Sequence, residues 1–333
     1  MFSRQKDYFK YPEGLDTYIG NIIGGKYMEY RRIWDQVTRQ EILTDFPLFV
    51  LVETQHACNY HCTMCYKSDK VLSDEVKYAG ILSSELFEKV VDEMIVHNSP
   101  ALSLNNSNEP LLDKNIIDRL AYASKKGIMD IMMNTNALLL DEDISRGLID
   151  NRLTKLLVSI DAATEKTYSL MRSSRSDSFK KVLSNTDKFL EIREKLNSKL
   201  PILRVSFVVT KLNEHEQEAF LNQWKDRADH ICFQRYTAPT DTARFLDIRP
   251  VILEEEEYSC SNPFERIIIR GDGNAYPCCY TLMNESVGNI KVNSLYEIWH
   301  SSKMEKYRKI VTERNWKASP YCDMCSKNTA TLS

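Results

Sequence analysis

From residue 48 onward the chain alternates between two textures: short apolar runs rich in β-branched residues, and longer segments whose apolar positions recur every three or four residues. "LFVLVETQ" (48–55) reads as a strand. "SSELFEKVVDEMIVHN" follows, with Leu86, Val90 and Met94 beside Phe87, Val91 and Ile95, the stripe of an amphipathic helix behind a serine cap. The pair then repeats. Strand-like "ALSLN" (101–105) precedes "DKNIIDRLAYASKKG", whose Gly127 predicts a left-handed helix end. "IMDIMMNT" precedes "DEDISRGLID", and "LTKLLVSID" precedes "ATEKTYSLM" and "SFKKVLSNTDKFLEIREKL". "ILRVSFVVT" precedes "EHEQEAFLNQWKDR", and "HICFQ" closes the series without a helix of its own. Six such strands predict a parallel sheet with helices outside it. The period alone leaves an open doubly wound sheet and a partial barrel both standing.

The flanks differ. Residues 1–46 are polar and aromatic, with a helix expected around "KYMEYRRIWDQVTRQEIL" and a stop at Pro47. After Gln234, "YTAPTDTARFLDIRP" reads as loop and the acidic run Glu254–Glu257 as a solvated segment. "RIIIRGDGNAYPCC" predicts a β-hairpin turning at Gly271-Asp272-Gly273-Asn274. "SLYEIWHSSKMEKYRKIV" predicts one amphipathic helix opened by a Ser294/Glu297 capping box, leading into "SPYCDMC". The expected organisation is an extension over 1–46, an α/β unit over 47–240 and a smaller α+β unit over 241–333.

Composition narrows the chemistry. The 333 residues carry a net charge of −3, so no broad cationic field favours nucleic acid or an acidic membrane as partner. No signal-like apolar run opens the chain and no stretch of about 18 apolar residues occurs, which predicts a cytoplasmic protein with reduced thiols. Nine cysteines in that compartment read as metal ligands sooner than as disulfides. They also bunch: Cys58, Cys62 and Cys65, then Cys232, then Cys260, Cys278, Cys279, Cys322 and Cys325.

The first set, "HACNYHCTMCYK" (56–67), follows the first strand of the series, and parallel α/β folds gather ligands at the carboxyl ends of such strands. Three thiolates admit two readings. One is tetrahedral zinc, with His56, His61 or the distant Cys322 and Cys325 completing it. The other is an iron–sulfur cluster with one iron left open.

The spacing of "CNYHCTMC" strongly resembles the C-x3-C-x-Φ-C hallmark of the radical SAM superfamily, with Met64 where many members place an aromatic. The resemblance implies a [4Fe–4S] cluster whose open iron is chelated by S-adenosylmethionine, which one electron then cleaves to methionine and a 5'-deoxyadenosyl radical. "NNSNEPLL" is similar to the family's Gly-Gly-Glu segment, implying that Glu109 binds the cofactor's amino group, although Ser107 and Asn108 replace the glycines. "MNTNALLL" resembles the Thr-Asn-Gly segment, retaining Asn136 with Ala137 for glycine. "VSIDAATEKTYSLMR" maps the family's serine and arginine contacts to the cofactor's ribose or carboxylate onto Ser159 and Arg172, and Asp161 is expected to order the turn.

Cys260, Cys278, Cys322 and Cys325, with Gly273 five residues before Cys278, resemble the SPASM/twitch extension of the same superfamily. That implies one auxiliary [4Fe–4S] cluster with four protein ligands, suited to electron transfer or structural support. Zinc remains the alternative there too. Cys279 is expected to be a spare thiol and Cys232 a core residue. The resemblance spans roughly residues 48–326 and implies a partial (β/α)6 TIM-type barrel followed by a small α+β auxiliary-cluster domain. The extension lies outside it and is too short for a winged-helix, leader-binding module.

Two activities fit this family. One is hydrogen abstraction from, and oxidation of, a small sugar-like or aminocyclitol alcohol; the other is modification of a peptide or protein. A zinc-stabilised scaffold is the non-enzymatic alternative. A reducing partner such as flavodoxin or ferredoxin is implied. No substrate base is identified; Arg235 and Tyr236, at the end of the sixth strand, are the candidates by position.

Overall fold

The computed structural model describes residues 5–68, 79–172, 177–236, 246, 259–279 and 285–327. The strands are β1 (Gln5–Phe9), β2 (Phe49–Val52), β3 (Ala101–Ser103), β4 (Asp130–Thr135) and β5 (Lys155–Ser159). They continue as β6 (Ile202–Val209), β7 (His230–Arg235), β8 (Arg266–Ile269), β9 (Asn274–Tyr276) and β10 (Gly288–Asn289). The helices are α1 (Leu15–Ile23), α2 (Gly25–Thr38), α3 (Ser84–Val96), α4 (Ile116–Lys126), α5 (Glu142–Asp150) and α6 (Glu165–Met171). After them come α7 (Ser178–Lys195), α8 (Gln217–Trp224), α9 (Asn262–Glu265), α10 (Leu295–Trp299), α11 (Ser302–Thr312) and α12 (Pro320–Lys327).

One sheet runs in the order β1-β7-β6-β5-β4-β3-β2-β8-β9-β10. The six predicted strands, β2 to β7, pair in parallel with sequential neighbours adjacent. The sheet does not close. It is the partial barrel that the strand pattern allowed, with β1 antiparallel on the β7 edge. The β8–β9 hairpin turns where expected, at Gly273 with φ +84°, and β8 pairs in parallel with β2, so the C-terminal segment continues the same sheet.

The two sheet faces bury different partners. Val50, Leu102, Ile131, Leu156, Val205 and Ile231 point outward into one core with Val90, Leu120, Leu148, Val182 and Phe220 from the covering helices. Phe49, Ala101 and Ile202 point into the lumen and meet Ile19, Tyr27 and Tyr30 of α1 and α2. The N-terminal extension therefore plugs the lumen at the amino ends of the strands.

Caps follow their chemistry. Ser83 accepts from Leu86 N ahead of α3, Gly127 ends α4 in the left-handed region, and Ser294 and Glu297 form the capping box of α10. Two expectations fail. The extension holds β1 and two helices rather than one helix, because Gly24 breaks the helical run and the edge of β7 recruits residues 5–9, and α2 ends at Thr38, well before Pro47, just ahead of Gln40 at φ +59°. The single helix expected after Ser294 breaks at His300, because Ser301 accepts from Met304 N and starts α11 as a new N-cap. The loop expected after Gln234, including Glu254–Glu257, lies almost wholly outside the described residues.

Candidate cluster and cofactor site

The cysteine loop leaves the carboxyl end of β2 and is fastened on three sides. Gln55 closes its base, accepting from Ala57 N at 2.6 Å and donating to Glu109 O at 2.7 Å. Thr63 donates from its hydroxyl to Leu170 O at 2.6 Å and from its amide to Met171 O at 3.0 Å, binding the loop to the end of α6. The Tyr60 and Tyr168 hydroxyls meet at 3.0 Å. Cys58 and Cys65 are half-buried, Cys62 is buried, and none forms a disulfide. Burial pushes the Cys62 thiol up to about 12, against the opposing pull of Arg172, and burial also raises Cys58. A cation bound there would have to displace these protons.

Glu109 sits at the centre of the loops after β3 and β4. Its carboxylate is buried and accepts from the Thr135 hydroxyl at 2.6 Å, Asn136 N at 2.8 Å and Leu111 N at 3.1 Å. Burial raises its pKa despite these donors. Asn136 donates from its side-chain amide to the Asn59 side chain at 2.7 Å, tying the β4 loop to the cysteine loop. Ala137, where the family carries glycine, holds φ +58°, a region in which glycine is unstrained.

Ser159 ends β5, half-buried and opposite Ser206 in register. Arg172 caps α6 and donates to Asp161 Oδ2 at 2.9 Å, while its buried Nε has no partner. Burial works against its charge, but Cys62 and Asp161 outweigh it and hold the pKa above the usual arginine value. Asp161 orders its turn as expected: it is fully buried at φ +62° and its Oδ1 accepts from Val208 N at 2.6 Å. Glu109 and Arg172 both lie within electrostatic reach of Cys58 and of each other. Met64 and Tyr236 pack into one small apolar cluster with Leu246, so Tyr236 is a buried core contact. The Arg235 side chain lies outside the described residues.

Sequence reasoning missed one charged group. Glu53, at 0% exposure, accepts from His56 Nδ1 at 2.7 Å and lies 3.5 Å from Arg270 Nε of the β8–β9 turn. Burial alone would raise its pKa, but His56, Lys67 and Arg270 together lower it. Lys67 also donates to His56 O. The first cysteine loop is thereby pinned to the hairpin that leads to Cys278. The only available signal was an acid inside an apolar strand run, "LFVLVETQ".

Cys322 and Cys325 share one face of α12 at i,i+3 spacing, close enough to influence each other. Burial, foremost, raises Cys322 to about 11. Cys260 packs beside Phe264, Val311 and Trp316, and its carbonyl accepts from the Gln40 side chain. Cys278 is half-buried and follows β9, and Cys279 is exposed. Cys232 is fully buried on β7, as expected of a core residue. A single tetrahedral zinc draws its ligand atoms to about 3.8 Å of one another. Among the described residues, the group gathered within 4.8 Å is Asp7, His230 and Cys232, not either cysteine set. No helix among the described residues is long and apolar enough to cross a membrane.

Comparison with known proteins identifies the family and the fold. Residues 52–222 match the family profile of the radical SAM superfamily, and residues 260–326 match that of the SPASM iron–sulfur cluster-binding domain. The antilisterial bacteriocin subtilosin biosynthesis protein AlbA of Bacillus subtilis (strain 168) is 25% identical over 284 residues, covering 78% of this chain and 61% of AlbA. The chain thus spans about three fifths of that relative's length. Native anSMEcpe with bound AdoMet and Kp18Cys peptide superposes with a TM-score of 0.62 at 17% identity, covering 84% of this chain and 88% of that one. BtrN in complex with AdoMet and 2-DOIA superposes with a TM-score of 0.54 at 18% identity, covering 85% and 93%.

Proposed function

Because the chain belongs to the radical SAM superfamily and carries a SPASM domain, we propose that Cys58, Cys62 and Cys65 hold its S-adenosylmethionine-binding [4Fe–4S] cluster. On the same reading Cys260, Cys278, Cys322 and Cys325 hold one auxiliary [4Fe–4S] cluster. When bound, these groups supply one-electron cleavage of S-adenosylmethionine to methionine and a 5'-deoxyadenosyl radical, hydrogen abstraction from a substrate carbon, and an acceptor for a second electron.

The observation that carries the cofactor assignment is that the Glu109 loop and the end of α6 that bears Arg172 are both hydrogen-bonded to the cysteine loop, through Glu109 N to Ala57 O at 3.1 Å and Thr63 N to Met171 O at 3.0 Å. One offers an anion to an ammonium; the other is a guanidinium, the group that pairs with a carboxylate, on a side chain 11% exposed. Together they complement the amino-acid end of the cofactor. Ser159 supplies a hydroxyl at the carboxyl end of β5, and Asn136 holds the β4 loop against the cysteine loop.

The reaction assigned is oxidation of a small-molecule alcohol. The single set of C-terminal cysteines supports it, as does the likeness to BtrN in complex with 2-DOIA across 93% of that chain. The second reading, peptide modification, draws on AlbA and on the peptide-bound anSMEcpe. Anaerobic, dithionite-reduced enzyme should release 5'-deoxyadenosine and methionine from S-adenosylmethionine, and deuterated polyols or aminocyclitols should pass deuterium into the 5'-deoxyadenosine. Absence of 5'-deoxyadenosine from protein loaded with iron and sulfide would sink the cofactor assignment. Deuterium transfer from peptides alone would sink the small-molecule assignment.

A further inference from the structure

Four helices of this chain that open on a serine or threonine use the hydroxyl in one way. Ser83, Thr164, Ser294 and Ser301 each accept from the backbone N–H three residues on, at Leu86, Thr167, Glu297 and Met304. Ser319 opens α12 with the backbone of such a cap: φ −136°, ψ 130°, and a carbonyl that accepts from Asp323 N at 2.9 Å. Its hydroxyl does not join the cap. The residue is at 0% exposure, and its buried Oγ has no hydrogen-bond partner of good geometry among the described residues. An orphaned buried hydroxyl costs about 1–3 kcal/mol, and one kept in a folded protein calls for an explanation.

The residue three positions on from this hydroxyl is Cys322. Burial raises that thiol; of the groups that lower it the Ser319 hydroxyl comes first, by its approach to the sulfur, and Lys306 follows by its charge. Cys325 and Glu285 oppose them, and Glu285 is itself bonded to the Tyr307 hydroxyl. A thiol sulfur is a weak acceptor, and an ionised one is far stronger. The Ser319 donor is therefore idle beside a protonated cysteine and satisfied beside a thiolate, the form that a metal ligand takes. No open space is needed for this bond, because donor and sulfur share the first turn of one helix.

The same bond has a redox consequence. A hydrogen bond to a cluster sulfur favours the reduced, more negative state and so raises the reduction potential. Structural support requires no such donor, whereas acceptance of a second electron is helped by one.

We propose that the Ser319 hydroxyl donates to the Cys322 sulfur of the auxiliary cluster and raises its reduction potential, which suits that cluster to accept an electron and not merely to hold the domain together. The proposal rests on the assignment of Cys322 as a cluster ligand made above.

The test is a redox titration followed by electron paramagnetic resonance. Full-length protein with Cys58, Cys62 and Cys65 replaced by Ala is reconstituted with iron and sulfide, so that the signal comes from the auxiliary site. Adding Ser319→Ala should keep the iron and sulfide content and move the midpoint to a more negative potential. Loss of one hydrogen bond to a charged group makes reduction about tenfold less favourable, a shift of about 59 mV for one electron. Ser319→Gly removes the same hydroxyl, is tolerated at a cap, and carries the test if Ser319→Ala fails to load iron. Ser319→Thr keeps a hydroxyl and should hold the midpoint near the parent value. Ser294→Ala removes a hydroxyl that serves a cap and should lower Tm without moving the midpoint. An unchanged or more positive midpoint in the iron-loaded Ser319→Ala or Ser319→Gly protein overturns the proposal. So does a shift in Ser294→Ala as large as that in Ser319→Ala, since the effect would then be one of general stability. Absence of any iron–sulfur signal from the triple cysteine variant would sink the ligand assignment and the proposal with it; a signal with an unmoved midpoint sinks the proposal alone.

Discussion

Glu109 is the residue whose removal separates a cofactor contact from a structural one. Its carboxylate accepts three hydrogen bonds, at 2.6, 2.8 and 3.1 Å, from donors on residues that are all at most 7% exposed. Glu109→Ala orphans all three. At about 1–3 kcal/mol per orphaned donor, the gross loss is several kcal/mol. Release of the buried carboxylate, whose raised pKa marks a desolvation cost, offsets part of that. The net expectation is about 3 kcal/mol lost by the cluster-free protein, a drop of several degrees in Tm. Glu109→Gln keeps an oxygen for Thr135 and Leu111 but turns its amide against Asn136 N–H, so its cost should be about 1–2 kcal/mol. Both variants remove the anion offered to the cofactor's ammonium, which should weaken S-adenosylmethionine about tenfold to a hundredfold. Urea denaturation of the apo protein and equilibrium dialysis of the reconstituted protein, with iron measured in each sample, read the two effects separately. If Glu109→Ala melts with the parent, the clamp on the β4 loop is refuted. If Glu109→Gln binds the cofactor as tightly as the parent, the ammonium contact is refuted.

Three further outcomes follow from the same structure. Reconstituted protein should hold about eight irons and eight sulfides, and joint replacement of Cys58, Cys62 and Cys65 by Ala should leave about half; stoichiometric zinc without sulfide would contradict the cluster reading. Arg270→Ala leaves the buried Glu53 carboxylate short of a partner and should cost about 3–5 kcal/mol in the apo protein, while Arg270→Lys should restore part of it; unchanged urea midpoints would show that the hairpin does not pin the cysteine loop. The third outcome is pH dependence at His230, whose pKa burial lowers below 6.5, so that the unfolded chain binds the proton more readily than the folded one. Its contribution to stability is therefore present above pH 6.5 and is lost as pH falls through the lower folded value. Tm of the apo protein should fall on acidification below about pH 6.5, more steeply than in His230→Asn, and equal slopes would remove His230 from the explanation.

Much of this molecule is written locally. Val50, Leu102, Ile131, Leu156, Val205 and Ile231 are outward-facing because apolar runs of that length pair as buried parallel strands, and Gly127, Ser83 and Ser294 end or start helices through their own backbone and hydroxyl chemistry. The cysteine spacing likewise lies within a few residues of contiguous chain. What the sequence could not decide depends on partners far away in it. Residues 5–9 became a strand because the edge of β7 offered unpaired backbone groups more than 220 positions later, and nothing in "QKDYF" encodes that edge. Glu109 could be placed beside a cofactor by its motif, but its role in holding Thr135 and Asn136 arises only once β3 and β4 lie side by side. The Glu53–His56–Arg270 group joins residues separated by more than 200 positions. Local propensity and spacing act within a turn or two of chain. Ion pairing, burial and cavity shape act across the packed interior, and the three-dimensional arrangement alone determines them.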